Sequence, residues 1–191
     1  MSYLDHWLPP VAVLVIYVVR MAELGTRRDT VAGPVRERLT LRLFMLAGTL
    51  MIVGGITEYL LRTLSLHWPL FLAGIACGLA SFTIRRQAIR ALGRFWSLHI
   101  EIRENHQFVS DGPFRWVRHP TYFSMILELL SAGLILRAWA TLGVVSLIFI
   151  PALYRRIRLE ETALVEKFGS RYTAYQQSTP ALLPWKLPPA P

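Results

Sequence analysis

The sequence contains almost no cysteine and little charge, and each shortage narrows the class of protein. Cys77 is the only cysteine among 191 residues, which excludes a disulfide within the chain and a cysteine-rich metal site. Only 17% of the residues are charged, whereas 53% are hydrophobic. This balance excludes an ordinary soluble domain, and the hydrophobic residues form long runs that are typical of membrane helices. We therefore expect an integral membrane protein with no metal site.

Acidic residues are also scarce, since 12 Asp and Glu stand against 21 Lys and Arg and leave a net charge of +9. In a soluble protein, such an excess of positive charge suggests binding to nucleic acid. Here the basic residues lie between the apolar runs, as they do in the cytoplasmic loops of membrane proteins. The sequence therefore predicts a protein that contacts membrane lipid and does not bind nucleic acid.

Five apolar segments predict an all-α bundle of about five transmembrane helices. They comprise residues 8–19 (opened by Pro9 and Pro10, with a start that could be as early as Leu4), 43–61, 66–84, 122–136 and 138–154. A helix needs about 20 residues to cross the hydrocarbon, so the second and third segments are predicted spans. The last two are short and only Arg137 separates them, which predicts a tight hairpin that barely reaches the far side. No Lys or Arg precedes the first segment and no small-residue cleavage pattern follows it, so we expect a retained anchor.

The distribution of basic residues predicts the orientation. Residues 20–42 contain six Lys and Arg, residues 85–118 contain seven, and the tail from residue 155 contains six. Arg62 and Arg137 are the only two on the other side. With five spans, this asymmetry predicts an N-terminus outside and three basic regions, the C-terminus included, in the cytoplasm.

We expect one domain over residues 1–191, with N-terminal transmembrane helices (1–84), a catalytic region (85–178) and a proline-rich tail (179–191). The end of the chain after Pro180 is predicted to be loosely ordered. Residues 86–102 are predicted to form an interfacial helix. Residues 155–168 are predicted to continue the fifth segment into the cytoplasm, with Gly169 as the stop. Gly74 and Gly78 give the third segment a small-xxx-small face against which another helix could pack closely.

Two polar features flank the predicted hairpin. The turn of His119, Pro120, Thr121 and Tyr122 lies where a basic loop meets the fourth segment, and such residues are often only interfacial anchors. Arg156 and Glu160 lie four residues apart on one face of a predicted helix, with Glu161 beside them. Taken alone, such a pair is most often a solvated ion pair worth a few tenths of a kcal/mol.

Glu58 and Glu128 lie inside apolar segments. An ionisable side chain at membrane depth is energetically unfavourable and suggests a functional role. However, Glu58 is near the outer end of its segment, and Glu128 could pair with an arginine or be protonated. The sequence leaves the roles of both residues open.

Read together, these features resemble a known family over residues 92–185. The matching stretches are Leu-Gly-Arg-Phe-Trp-Ser at 92–97, His-Gln-Phe-Val-Ser-Asp-Gly-Pro-Phe at 106–114, Arg-His-Pro-Thr-Tyr at 118–122, Glu-Glu-Thr-Ala-Leu at 160–164 and Phe-Gly-Ser-Arg-Tyr-Thr-Ala-Tyr at 168–175. In order and spacing, the set resembles the isoprenylcysteine carboxyl methyltransferase family and its phospholipid N-methyltransferase relatives.

The resemblance implies S-adenosylmethionine as the methyl donor, bound at the cytoplasmic face between the loop and the tail helix. By position it assigns His106, Gln107, Phe108 and Val109 to the adenosine pocket, His119, Pro120, Thr121 and Tyr122 to the methionine end, Glu160 to a polar group of the cofactor, and Arg156 to the methyl acceptor. Aromatic faces such as Phe114 or Tyr122 can hold the sulfonium cation, and arginines can hold a carboxylate. Methyl transfer is an in-line displacement that depends on alignment and exclusion of water, so no nucleophilic side chain is needed.

The acceptor is predicted only as lipophilic or membrane-associated. It could be an isoprenylcysteine α-carboxylate, a phospholipid amine, a small thiol or another lipid. Two other classes remain open, namely an NADPH-dependent membrane reductase of the sterol-reductase type and a membrane scaffold that keeps the fold without catalysis.

Overall fold

Helices make up most of the chain in the computed structural model, which describes residues 3–25, 37–93 and 109–185. The helices are α1 (Tyr3–Gly25), α2 (Leu39–Leu61), α3 (Trp68–Leu92), α4 (Pro120–Leu136), α5 (Trp139–Phe168) and α6 (Ser170–Ser178), with a short 3-10 helix at Gly112–Arg115. No strand occurs within these ranges. The predicted all-α class is therefore confirmed.

Four helices are long and apolar enough to cross a membrane: residues 5–23 of α1, and α2, α3 and α5. The fourth predicted segment, α4, has 17 residues, which extend only about 26 Å along the helix axis. Large hydrophobic side chains on the long helices face outward, among them Val18, Val53, Leu79 and Leu147 at 60–78% exposure. Because such faces require lipid around them, the protein is a multi-pass integral membrane protein.

Two helices are longer than the hydropathy pattern predicts. α1 includes Pro9 and Pro10 within its second turn, although these prolines were expected to open the segment. Both prolines are buried. Membrane helices tolerate proline where neighbouring helices provide hydrogen bonds for the backbone groups that it leaves free. α3 continues to Leu92, so the first part of the predicted interfacial helix at 86–102 belongs to a span. Residues 94–102 of that prediction lie outside the described residues.

Small residues bring α3 and α4 together. The Ser131 hydroxyl of α4 donates to the Gly74 carbonyl at 2.7 Å. A Cβ at Gly74 would lie 2.9 Å from the Ser131 carbonyl oxygen, and one at Gly78 would lie 3.0 Å from Ser131 Oγ. The predicted small-xxx-small face is therefore the surface against which α4 packs.

The hairpin of α4 and α5 is fastened by Glu58 of α2. Its carboxylate accepts bonds from the Thr141 amide and hydroxyl, both at 2.8 Å, at the start of α5. Arg62, one turn later on α2, donates to the same carboxylate at 3.1 Å. A carboxylate at a helix N-terminus satisfies free amides and the helix dipole, so the position of Glu58 is explained by capping.

α5 is a single helix from the hairpin to Phe168, as predicted for the fifth segment and its continuation. It ends at Gly169, whose φ of +55° is in the left-handed region, where glycine meets no steric penalty. The short helix α6 then turns back along α5.

Candidate active site

The start of α4 packs against the second half of α5, and three polar side chains meet there. The Tyr122 hydroxyl donates to Glu160 Oε2 at 2.6 Å, and Arg156 Nε donates to the same hydroxyl at 3.0 Å. We call Tyr122, Arg156 and Glu160 the Tyr122 cluster. The hydroxyl thus lies between a cation and an anion that are one turn apart on α5.

Arg156 is only 4% exposed, so it is not the solvated surface residue that the spacing alone favours. Its Nη1 donates to the Thr40 hydroxyl at 3.2 Å and lies 3.6 Å from Glu37 Oε2. Burial alone would raise the pKa of Glu37, but hydrogen bonds from Thr40 and Leu39, together with the Arg156 charge, hold it below its usual value. The start of α2 therefore supplies the other partners of Arg156.

A second set of contacts lies beside the first. Arg118 Nε donates to Glu161 Oε1 at 2.8 Å, and His119 Nε2 lies 3.0 Å from the same oxygen. Gln176 of α6 donates to Glu161 Oε2 at 3.0 Å. These four residues, which we call the Arg118 cluster, join the loop before α4 to both C-terminal helices.

The beginning of the predicted loose tail is part of this assembly. The amides of Arg118 and His119 donate to the carbonyls of Pro180 and Ala181 at 2.9 and 3.0 Å, and the Arg118 guanidinium also donates to the Thr179 carbonyl. The expectation of a loosely ordered segment is wrong at these residues, because the loop amides need acceptors and the tail carbonyls supply them.

α6 also contacts the 3-10 helix that precedes the turn. The Tyr175 hydroxyl donates to the Phe114 carbonyl. Burial raises the pKa of Tyr175 and of its neighbour Tyr172 well above the usual tyrosine value. Both hydroxyls therefore remain neutral donors throughout the physiological range.

The polar groups open onto a cavity of about 590 Å³ between α1, α2, α4 and α5. Its walls are mainly apolar and include Ile16, Phe44, Met51, Met125 and Phe149. Tyr122, Arg156 and Glu160 form part of the lining. A volume of this size is in the range that holds a small-molecule ligand, and apolar walls favour a lipid chain.

A third group of charges lies away from the Tyr122 cluster, and three of its members, Arg20, Arg85 and Glu128, line the same cavity. Arg85 Nε contacts Glu23 Oε2 at 2.6 Å and Arg85 Nη1 contacts Glu128 Oε2 at 2.8 Å. Arg20 Nε is 3.7 Å from Glu128 Oε2. We call these four residues the Arg85 cluster. Glu128 is thus paired with arginine, one of the two roles that the sequence left open.

Most of the residues predicted for the adenosine pocket lie outside the ranges that the structure describes. His106, Gln107 and Phe108 lie outside the described residues, and Val109 is half-buried. Phe114 is buried, and its described contact is through its carbonyl. No assignment to a bound cofactor follows from these positions.

The predicted turn is brought to the cavity. His119 and Pro120 are buried, and Thr121 lines the cavity beside Tyr122. The His119 ring stacks on the Tyr122 ring with centroids 5.4 Å apart. The two stacked side chains both contact α5, His119 at Glu161 and Tyr122 at Glu160.

Several site residues were not singled out from the sequence. Arg118 and Glu161 stand next to His119 and Glu160, so their position in the same motifs was a usable signal. Thr40 and Glu37 gave none, because they are more than 100 residues away from Arg156. Among the described residues, no group of three His, Cys, Asp or Glu could hold a metal ion.

The fold and the site define a helical membrane protein with a buried polar centre at the wall of an apolar cavity. The sequence model of the Isoprenylcysteine carboxyl methyltransferase (ICMT) family matches residues 74–166, slightly less than half of the chain. Both α4 and the Arg156–Glu160 turn of α5 fall within the match.

Known proteins similar to this chain include members named for the same activity. Uncharacterized protein YpbQ of Bacillus subtilis is 36% identical over 94 residues, which are 49% of this chain and 56% of that protein. A probable protein-S-isoprenylcysteine O-methyltransferase of Oryza sativa subsp. indica is 25% identical over 172 residues, 88% of each chain. The solved structure of the eukaryotic intramembrane Ras methyltransferase ICMT superimposes with a TM-score of 0.66 at 25% identity, covering 72% of this chain and 52% of that one. The chain therefore spans about half the length of YpbQ and of the solved methyltransferase.

Proposed function

We propose that this protein transfers a methyl group from S-adenosylmethionine to a lipophilic acceptor in the membrane. The match of the family model to residues 74–166 supports this reaction class. The observation that carries the proposal is the position of the Tyr122 cluster at the wall of an apolar cavity of about 590 Å³. A polar donor and an apolar acceptor need such a junction in order to meet.

The side chains present suit the donor. When bound, S-adenosylmethionine supplies a methyl group on a positively charged sulfur. Glu160 is 33% exposed at its side chain, so its carboxylate retains room for a hydroxyl or ammonium group besides the Tyr122 bond. The Tyr122 ring, which lines the cavity, offers a face to a cation. We assign the adenosine to His106, Gln107, Phe108 and Val109 and the methionine end to the turn from His119 to Tyr122.

Arg156 is assigned to the acceptor. It lines the cavity, and its guanidinium is held by Tyr122 on one side and by Thr40 on the other. A guanidinium held on two sides can fix an anionic acceptor, or orient and polarise a neutral one, without moving. The apolar walls exclude water, so the rate is raised by alignment in a dry site.

The acceptor class that we favour is an isoprenylcysteine α-carboxylate or another lipid-borne nucleophile of similar size. The rice relative is named for isoprenylcysteine and the solved structure is a Ras methyltransferase. A mainly apolar cavity between helices supports entry of such an acceptor from the bilayer. We further propose an N-terminus outside and a site that opens to the cytoplasm, in keeping with the basic loops.

The proposal is tested with purified protein in lipid nanodiscs. Isothermal titration should show binding of S-adenosylmethionine and none of NADPH, and methyl-labelled donor should transfer its label to a lipid extract, with mass spectrometry identifying the product. Binding of NADPH without S-adenosylmethionine would replace this function with a membrane reductase. Absence of binding by both cofactors would favour a scaffold.

A further inference from the structure

The cavity has a second polar end, formed by the Arg85 cluster. Arg20, Arg85 and Glu128 all contribute to its lining. Glu128 follows Tyr122 by six residues on α4, which separates the two ends by about 9 Å along the helix axis. An acceptor that reaches from the Tyr122 cluster into the cavity therefore passes these charges.

Arg85 has the contacts of a structural residue. It is 5% exposed and contacts Glu23 on α1 and Glu128 on α4, and its Nη1 also donates to Ser81 Oγ at 3.2 Å. These contacts tie three helices together across the bundle. Breaking such a buried set would destabilise the fold, so Arg85 needs no ligand to explain it.

Arg20 differs from Arg85 in its hydrogen bonding. Its contact with Glu128 is long, at 3.7 Å, and within the described part of the chain its buried Nη1 has no hydrogen-bond partner. A buried charged donor that lacks an acceptor is strongly unfavourable. Because Arg20 lines the cavity, a bound ligand can provide that acceptor.

The charge of the cluster indicates what kind of acceptor atom fits. Arg20 and Arg85 are balanced by Glu23 and Glu128, so the four side chains sum to zero. A further anion would leave one uncompensated negative charge in an apolar cavity, which is unfavourable. An uncharged oxygen satisfies the free N–H without disturbing this balance.

We propose that the methyl acceptor carries an uncharged carbonyl or hydroxyl oxygen about 9 Å from its methylated group, and that Arg20 binds this oxygen. The inference rests on the proposed function and narrows its acceptor class. A purely hydrocarbon tail would cover Arg20 with methylene groups and leave its Nη1 unsatisfied. Of the acceptors proposed above, a lipid-borne nucleophile with an oxygen along its chain is therefore preferred over an isoprenylcysteine, whose prenyl chain has no such oxygen.

The test compares two ligands that differ by one oxygen. The probes are a long-chain fatty acid and its keto analogue, with the ketone about 9 Å along the chain from the carboxylate. Their dissociation constants are measured by intrinsic tryptophan fluorescence on the full chain in nanodiscs, without methyl donor. We expect the keto acid to bind about tenfold more tightly, as a hydrogen bond to a charged donor provides.

The variant R20M should abolish this preference while binding the plain fatty acid at least as well as wild type. Arg86 is exposed on α3, so R86M is the matched control and should keep the preference. Equal affinities in the wild-type protein overturn the inference even if R20M does not fold, as does a preference that survives in a folded R20M. If the protein transfers methyl groups but binds the two fatty acids equally well, only the proposed Arg20 site is refuted. If it binds the keto acid more tightly but does not bind S-adenosylmethionine, only the proposed reaction is refuted.

Discussion

The Tyr122 cluster and the Arg85 cluster line the same cavity but pair their charges differently. In the Arg85 cluster, guanidinium and carboxylate touch directly at 2.6 and 2.8 Å, and the paired side chains are 6–13% exposed. In the Tyr122 cluster, a neutral hydroxyl lies between Arg156 and Glu160, and Glu160 is 33% exposed. Direct pairing uses up the bonding capacity of Arg85, whereas pairing through a hydroxyl leaves part of the capacity of Glu160 for a ligand.

The two clusters also differ in where their residues come from. The Tyr122 cluster lies entirely within residues 74–166, the range matched by the family. Arg20 and Glu23 of the Arg85 cluster lie on α1, outside that range. The end of the cavity at the Tyr122 cluster thus lies within the range that resembles the family, while the other end depends on this chain's own N-terminal helix.

The largest expected effect is a difference in stability when one glutamate in each cluster is replaced by glutamine. Glu128→Gln leaves Arg20 and Arg85 with one fewer compensating charge inside the bundle, and we expect it to lower the free energy of unfolding by roughly 3 kcal/mol. Glu160→Gln changes a more exposed carboxylate that neighbours a hydroxyl, and we expect it to unfold close to wild type. Thermal denaturation in detergent, followed by circular dichroism, measures both. Equal destabilisation by the two variants would remove the distinction between the clusters.

Arg156→Ala should reduce the rate of methyl transfer about a hundredfold, because it misaligns the acceptor. The affinity for the donor should change by less than about threefold, which corresponds to a binding free energy difference below about 1 kcal/mol. Arg155→Ala is the matched control, because Arg155 is the exposed neighbour on α5. Label transfer and isothermal titration of the donor give the two values. Losses of the same size in both would move Arg156 into the cofactor site.

Tyr122→Phe keeps the ring and removes only the hydroxyl that joins Arg156 to Glu160. We expect about a tenfold lower rate of methyl transfer, the effect of one hydrogen bond to a charged group. Tyr154→Phe, at an exposed position of α5, should leave the rate unchanged. An unaltered rate in the Tyr122 variant would show that the hydroxyl does not position either residue.

The smallest effect concerns Glu37, which supports the Tyr122 cluster from the start of α2. Because its pKa in the folded protein is lowered, it contributes stability above its unfolded pKa of about 4.3 and loses it as the pH falls through the folded value. Between about pH 5 and pH 3, the unfolding free energy of wild type should fall more steeply than that of Glu37→Gln. Parallel curves for the two proteins would mean that the carboxylate adds nothing.

Much of the fold was predictable because hydropathy and helix ends are local properties. The span of α2 and the stop at Gly169 each follow from a few adjacent residues. The extension of α3 to Leu92 was missed because Arg85, Arg86 and Arg90 resemble a cytoplasmic loop. Arg85 remains in the bundle only because α1 and α4 supply carboxylates for it.

The candidate site was predictable in part. The meeting of the His119 turn with the acidic helix was implied by the family resemblance of the motifs, and the contacts of His119 and Tyr122 with α5 agree with it. The partnership of Arg156 with Thr40 joins residues 116 positions apart. Polar pairings between distant helices leave no periodic signal in a single sequence.

The sequence by itself determined that this is a membrane protein, where most of its helices lie and which polar motifs flank them. These features depend on the length of the apolar segments and on the polarity of contiguous residues. Only the tertiary structure decided that a hydroxyl separates Arg156 from Glu160, that the tail carbonyls bind the loop, and that Arg20 faces the cavity with a free N–H among the described residues. A hydrogen bond tolerates only a few tenths of an ångström of variation in its donor–acceptor distance. This distance depends on how closely two helices approach, as they do at Gly74 and Ser131.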